Sequence, residues 1–367
     1  ITRTFMPSQK ITQQLKNLYK EAFPTDSDAF VEYFFDTQIK KERLKNVEIV
    51  FADNNVDIAS TGYIIKKPAV LHNKRQPAHY LTAFATHTAH RNKGYANKLM
   101  QQILQRLHKK EVSFCFLYPF NHTFYLKYGF STISYASELQ LNGNINCQQR
   151  TSTNEEELFK IAKLSKLANK KNLADNYLIC SKQKITEKIK EFACDNIFPT
   201  IYSIEDSTAK TAKDFAFCFK SKNRIHYYKS LDNNLFFNLA CNSGLKAHDF
   251  TSTDINASAN NQNQYIQARI TNVAAALKNA PFIIEDKFSI KIIDNIVPQN
   301  NAVFLINNLV NNSVNNLPNG TSNKTLPQQI QSNSADYTLN INELTQLLLC
   351  GDNKLIKKQK TYLDEQF

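Results

Sequence analysis

Residues 79–107 change hydrophobic period once, and that change constrains the fold more than any other feature of the chain. "HYLTAFAT" (79–86) reads as a strand, whereas "GYANKLMQQILQRL" (94–107) repeats its apolar residues at helical spacing. The loop between them, "HTAHRNK", carries Arg91 and Lys93, and the glycine that follows it, Gly94, is one of only seven in 367 residues. A strand, a short loop and a helix in this order leave N–H groups at the helix start outside the intrahelical ladder, with the dipole favouring an anion in front of them. What such a turn offers is a phosphate seat. A glycine there admits close approach, Ala96 keeps the first turn slim, and Arg91 and Lys93 add charge. Neither G-x-G-x-x-G nor G-x-x-x-x-G-K-[ST] is present, so the dinucleotide and nucleoside-triphosphate fingerprints are not met. Taken alone, R-x-x-G-x-A also describes an ordinary turn glycine.

The flanking segments are α/β in character. "ITRTF" reads as a strand, "SQKITQQLKNLYKEAF" as an amphipathic helix, and "SDAFVEYFFDTQI" as a second helix with Ser27 or Asp28 as N-cap. "VEIVFAD" and "DIASTGYIIKK" read as a hairpin. After the 94–107 helix come a strand "VSFCFLYP", a short helix "HTFYLKY" and a strand "STISYASELQL". A second unit, residues 142–265, alternates helices ("EEELFKIAKLSKLANK", "ITEKIKEFAC") with strands ("TIYSI", "FAFCFK", "IHYYKSL"). The polar run "STDINASANNQNQ" marks a boundary, and a third unit, 266–367, opens in "YIQARITNVAAALKNA". It contains strands "FSIKII" and "AVFLIN" and a helix "INELTQLLL". The Asn-rich span 307–325 reads as a surface loop.

Composition and charge decide further points. A chain of 42.1 kDa exceeds what one core holds, so several domains are expected. The net charge of +13 suggests nucleic acid, but the lysines of "FKIAKLSKLANKK" and "SKQKITEKIKEF" interleave with apolar residues at helical spacing, as on solvated helix faces. No specific nucleic acid is expected, and no apolar run is long enough to span a membrane. Seven scattered cysteines without a C-x-x-C pair argue against a disulfide framework or a metal site, and Cys218 and Cys350 sit in apolar runs as core residues do. The opening "ITRTFMPSQK" has no secretory h-region, so the cytoplasm is the expected compartment.

Arg91–Ala96 (R-x-x-G-x-A) followed by Asn121–Phe130 (N-x-x-x-Y-x-x-x-G-F) resembles the GNAT N-acetyltransferase family. "LYKEAFPTDSDAFVEYFF", "FLYPFNHTFYLKYGF", "ARITNVAAAL", "INELTQLLLCG" and "LDEQF" are similar to successive landmarks of its Eis-like (enhanced intracellular survival) members. The likeness runs over nearly the full length, clearest in 15–135. The loop H-R-N-K-G-Y departs from the arginine runs of some members, and the chain is more basic than a binder of polycations is expected to be. The resemblance implies a GNAT domain (1–141), a GNAT-like central domain (142–265) and a sterol-carrier-protein-like domain (266–367). It also implies acetyl-CoA as cosubstrate, held by Phe84, Ala85 and Thr86 on the strand and by Arg91, Asn92, Lys93, Gly94, Tyr95, Ala96 and Asn97 on the loop and helix start. Phe120 and Asn121 would close the far side.

On that reading Tyr125 lies near the departing thiol and, with an ordinary phenol pKa near ~10, can protonate it. The amine needs a base, a role that the resemblance gives to the α-carboxylate at Phe367, near Glu365. Asp26, Asp28, Glu32 and Glu365 are candidates for an anionic amine pocket. Asp26 and Asp28 equally suit a helix start. The implied acceptor is an aminoglycoside, a polyamine or a lysine side chain. The implied assembly is a homo-oligomer, in the family a hexamer. A lipid or acyl-CoA binding protein built on the sterol-carrier-like domain is the alternative.

Overall fold

The computed structural model describes residues 9–40, 47–52, 57–72, 74–139, 147–168, 176–178, 181–204, 215–220, 225–230, 247–249, 262–278, 280–283, 287–307, 327–332, 334–351, 354–356 and 361–362. "ITRTF" and residues 308–325 of the Asn-rich span lie outside them.

The N-terminal elements follow the periodicities closely. Helices α1 (Gln9–Ala22) and α2 (Asp28–Phe34) come first, and the Ser27 hydroxyl caps α2 by accepting the Phe30 N–H at 3.1 Å. Next are β1 (Val47–Phe51), β2 (Ile58–Leu71), β3 (Lys74–Thr86), α3 (Tyr95–Lys109), β4 (Phe114–Leu117), α4 (His122–Leu126) and β5 (Ser131–Leu139). β1 and β2 form the expected hairpin. The middle of the chain supplies β6 (Cys147–Thr151), α5 (Glu155–Ala168), β7 (Asn176–Leu178), α6 (Lys182–Ala193), β8 (Pro199–Ile204), β9 (Phe215–Lys220), β10 (Ile225–Ser230) and β11 (Ala247–Asp249). The remainder is β12 (Gln262–Ile270), α7 (Val273–Leu277), β13 (Lys287–Ile293), β14 (Ala302–Asn307), β15 (Gln328–Ile330), β16 (Tyr337–Asn340), α8 (Ile341–Cys350) and β17 (Thr361–Tyr362).

Three sheets result, ordered β11-β5-β12-β4-β3-β2-β7-β17 with β1 added on β2, then β10-β9-β8-β6, and β15-β14-β13-β16. The first holds a surprise for the sequence reading. "YIQARI", expected to open the third unit, is β12, which lies between β4 and β5 and pairs antiparallel with both. The 265/266 boundary therefore falls inside a strand of the first sheet. Ile266, Ala268 and Ile270 are buried, but so are Gln267 and Arg269, so the strand is covered on both faces and shows no alternation that would assign it to a sheet.

Each face of the first sheet has its own core. Leu15, Leu18, Tyr19, Val31 and Phe34 of α1 and α2 pack on Ile58, Tyr63 and Ala85. Leu99, Ile103, Leu104 and Leu107 of α3 pack on Ile64, Leu81, Cys115 and Leu117, with Tyr125 and Phe130 in the same cluster. The opposite side of β4, Phe114 and Phe116, joins Leu277, Leu344 and Leu348 from α7 and α8 in one apolar core. Described residues of α7, β13, β14 and α8 thus share a core with the first sheet.

Cys115, Cys218 and Cys350 are free and buried, and burial pushes their thiols up to about 12. Among the described residues Lys188 of α6 departs from the solvated-face reading: it is buried, its ammonium 3.1 Å from Glu191 and over the Phe192 ring. No helix among the described residues is long and apolar enough to cross a membrane.

Candidate active site

β3 and β4 run parallel and part early. His79 pairs with Cys115 and Tyr80 with Phe116, after which β3 continues to Thr86 while β4 ends at Leu117. Among the described residues no strand pairs with the β4-facing edge of β3 over 81–86. An unpaired edge offers its N–H and C=O groups to an extended, amide-bearing ligand. On its other side β3 stays paired with β2, through a register shift between Thr61 and Tyr63 that sets Gly62 opposite the Ala83–Phe84 bulge. Ala83 has φ +50°, a left-handed backbone for a residue with a side chain. A Cβ on Gly62 would lie 2.8 Å from the Phe84 ring, so the glycine is what lets that ring cross the strand.

The open edge leads into the loop. Thr86 and Ser60 bring their hydroxyls to 3.0 Å, and Arg91 Nε donates to the Thr86 carbonyl at 3.3 Å. Asn92 and Gly94 both adopt positive φ, +62° and +81°. Gly94 is the N-cap of α3 and has no side-chain cap, and the helix ladder begins only with the Lys98 N–H on the Gly94 carbonyl at 3.0 Å. The N–H groups of Tyr95, Ala96 and Asn97 precede that ladder. A Cβ at Gly94 would meet nothing within 4 Å. The glycine is required by its backbone, and the space above it is open for a ligand. Arg91, Asn92, Lys93 and Asn97 are exposed, while Tyr95 is buried with its ring edge-on to His90.

Tyr125 stands across from this edge. Asn121 caps α4, its side-chain oxygen accepting the N–H groups of Thr123 at 3.0 Å and Phe124 at 3.3 Å, so its part is to start the helix that carries the tyrosine. Around the Tyr125 ring lie Phe84, Phe120, Phe124 and Phe130, with centroids 4.9 to 6.3 Å away. Phe120 is 78% exposed and forms the outer wall. Burial, with Tyr128 nearby, pushes the Tyr125 phenol above its ordinary pKa. It keeps its proton at neutral pH.

Other candidates are placed differently. Asp26 accepts the Tyr19 hydroxyl at 2.8 Å, Glu32 pairs with Lys16, and Asp28 with Lys20. They belong to the α1–α2 side of the sheet, which Ala85 faces, whereas Phe84 faces Tyr125. No contact links these carboxylates to Tyr125 among the described residues. Glu365 and Phe367 lie outside the described residues.

Glu21 escaped the sequence reading. It reaches from the end of α1 to accept the Thr88 N–H at 2.8 Å and to lie 3.5 Å from His87 Nε2. Slight burial works against its carboxylate, but the Thr88 N–H, His87 and Arg91 hold its pKa below the ordinary value. It ties α1 to the base of the loop, and nothing in its helical context marks it. Among the described residues no group of His, Cys, Asp and Glu is arranged to hold a metal.

The sequence matches the acetyltransferase (GNAT) domain over residues 7–133 and the sterol carrier protein domain over residues 273–354. No curated protein matches it. Several solved structures are similar over almost the whole chain. A protein from Enterococcus faecalis V583, described as a "Probable N-Acyltransferase", is 16% identical with TM-score 0.70 and 98% of each chain covered. A GCN5-related N-acetyltransferase from Anabaena variabilis ATCC 29413 is 15% identical with TM-score 0.67, again covering 98% of each. Eis1 from Mycobacterium abscessus is 13% identical with TM-score 0.62, covering 96% of this chain and 90% of its own. At these identities the likeness establishes the fold.

Proposed function

We propose that this chain, an Eis-like GNAT acyltransferase with a C-terminal sterol-carrier-like domain, transfers an acetyl group from acetyl-CoA to a primary amine. The observation that carries the reading is the unpaired edge of β3 running into the Gly94 loop, with Tyr125 opposite. Phe84, Ala85 and Thr86 offer backbone groups to the amides of the pantetheine arm. The N–H groups of Tyr95, Ala96 and Asn97, with Arg91 and Lys93 beside them, suit the pyrophosphate. Asn92 and Gly94 supply the backbone bends, Asn121 starts α4, and Phe120 walls the outer side.

In the reaction the acceptor nitrogen forms a bond to the thioester carbonyl carbon, the carbon–sulfur bond breaks, and Tyr125 gives its phenolic proton to the departing sulfur. A positioned acid of this kind contributes ~10²-fold or more. The amine must first lose a proton. The Eis-like resemblance gives that task to the α-carboxylate at Phe367, and the charge of Asp26, Glu32 and Glu365 makes them the candidates for the amine pocket. Aminoglycosides, polyamines and lysine side chains are the acceptors proposed, in a homo-oligomer of cytoplasmic enzyme. For the domains we propose 1–141, 142–265 and 266–367, with β12 lent by the third part to the first sheet.

The experiment is calorimetric binding of CoA together with release of free CoA thiol from acetyl-CoA across an amine panel. Amine-dependent thiol release supports transfer. Lipid retention without turnover would favour a carrier, a reading weakened by Leu277, Leu344 and Leu348 being buried in a core shared with the first sheet.

A further inference from the structure

Among the described residues one charged pair is wholly buried, and it stands behind Tyr125. Arg269 on β12 and Asp294 just after β13 are both 0% exposed, with Nη2 of the arginine 2.6 Å from Oδ2 of the aspartate. Asp294 is fully engaged: Asn300 Nδ2 donates to Oδ2 at 2.9 Å, and the N–H groups of Ile296 and Val297 donate to Oδ1 at 3.0 Å each. Burial opposes its ionisation, yet the Arg269 guanidinium and these donors hold its pKa below the ordinary value. The second arm of Arg269, Nη1, donates to the Tyr128 carbonyl. The Tyr128 N–H in turn donates to the Tyr125 carbonyl at 3.0 Å, and the Phe130 N–H joins it at 3.4 Å. The chain of contacts therefore runs from Asp294 through Arg269 and the turn to Tyr125. Val297, three residues after Asp294, packs in the same apolar cluster as Tyr125, Tyr128 and Phe130.

Gly129 completes the arrangement. Its φ is +83°, and a Cβ there would collide with Arg269 Nη1. The glycine of "YLKYGF" thus makes room for a guanidinium that arrives from 140 residues further along the chain.

We infer that Arg269 is a positioning residue, whose two-armed grip on Asp294 and the Tyr128 carbonyl fixes the turn that orients Tyr125. The inference rests on Tyr125 being the acid. Burying a charge is unfavourable unless it is paired and hydrogen-bonded, and a planar fork suits two acceptors held at a fixed angle where an ammonium does not. Transfer thereby depends on residues of the C-terminal part that touch neither substrate.

The test is a cycle in the full-length protein. Arg269→Ala strands Asp294 and is expected not to fold. The paired swap Arg269→Met with Asp294→Leu removes both charges at similar bulk, a change that buried pairs often tolerate. It should melt cooperatively and bind CoA within threefold of wild type, but lose at least tenfold in kcat. Arg269→Lys keeps a cation for Asp294 and loses the fork, and should lose kcat as well with KM for acetyl-CoA unchanged. Combined with Tyr125→Phe, neither change should lower kcat further, because both act through the same hydroxyl. Wild-type kcat within twofold in Arg269→Lys, or losses that multiply in the combined variants, overturns the positioning role and leaves the acid assignment standing. An unaltered kcat in Tyr125→Phe alone overturns the acid assignment, and with it the reason for the grip.

Discussion

Gly94 allows backbone strain and ligand charge to be separated by three substitutions at one position. Its φ of +81° lies where an L residue is strained, and a Cβ there touches nothing within 4 Å, so no protein contact confuses the comparison. Gly94→Ala should cost only the left-handed backbone, about 1–2 kcal/mol. Gly94→Asn should cost less, since asparagine tolerates this region, as Asn92 does two residues earlier at +62°. Gly94→Asp has the shape of the asparagine variant with a negative charge. If the pyrophosphate lies against the start of α3, that carboxylate stands roughly 5 Å from it. At an effective dielectric between ~20 and ~80 the repulsion is about 1–3 kcal/mol, or roughly 5- to 150-fold in Kd relative to Gly94→Asn. Calorimetric titration of CoA measures the difference, and thermal melting confirms that the two variants are equally folded. Raising salt from about 0.05 to 0.5 M shortens the screening length from roughly 14 to 4 Å, so the Asp–Asn gap should narrow while the alanine effect persists. Equal CoA affinity in folded Gly94→Asp and Gly94→Asn would refute the placement of the phosphates.

Other expectations follow from the same geometry. Gly62→Ala sets a methyl 2.8 Å from the Phe84 ring, an overpacking of about 1–3 kcal/mol; KM for acetyl-CoA should rise several-fold in steady-state assays, and an unchanged KM would separate Phe84 from the ligand. His79 is held at a pKa of about 4, first by burial and then by Lys66 and Lys110. The unfolded chain binds that proton near ~6.5, so stability is whole above that value and is lost as pH falls toward 4, by about 2 kcal/mol once partial exposure is allowed for. Urea melts should show this slope shrinking in His79→Gln. In a protein whose chain ends at Phe367, one added glycine moves the α-carboxylate by up to ~3.5 Å. Acetyl transfer should then fall at least tenfold with CoA affinity kept, and full activity would give the base role to another group.

The parts of the site legible in the sequence are those where local period and local chemistry coincide. The strand-to-helix change around Gly94 survives because β3, the loop and α3 are contiguous, and the backbone requirement at Gly94 is met within four residues. Asn121 and Tyr125 are legible for the same reason, since Asn121 caps the short helix that carries Tyr125. The register shift at Gly62 is not, because it arises only when β2 meets β3. The acidic residues Asp26 and Glu32 are ambiguous in sequence, since their charge suits an amine pocket and a helix start alike; in the structure their side chains engage Tyr19 and Lys16 beside them.

Arg269 shows what a one-dimensional reading misses and where its trace lies. In "YIQARITNV" nothing in the local sequence marks the arginine as buried, because charge ordinarily lies at the surface. Its burial follows from β12 lying between β4 and β5 with α8 against it, a placement set by residues more than 100 positions earlier. A charge in such a strand must have a partner, and the partner must also lie in an apolar context. "SIKIIDNIV" contains such a residue, Asp294, at the end of a strand whose Ile290 and Ile292 are buried. Gly129 is the third trace, a glycine retained in an aromatic segment by a chain that has only seven. None of the three is informative alone; together they mark a buried ion pair that ties β12 and the end of β13 to the turn behind the proposed acid.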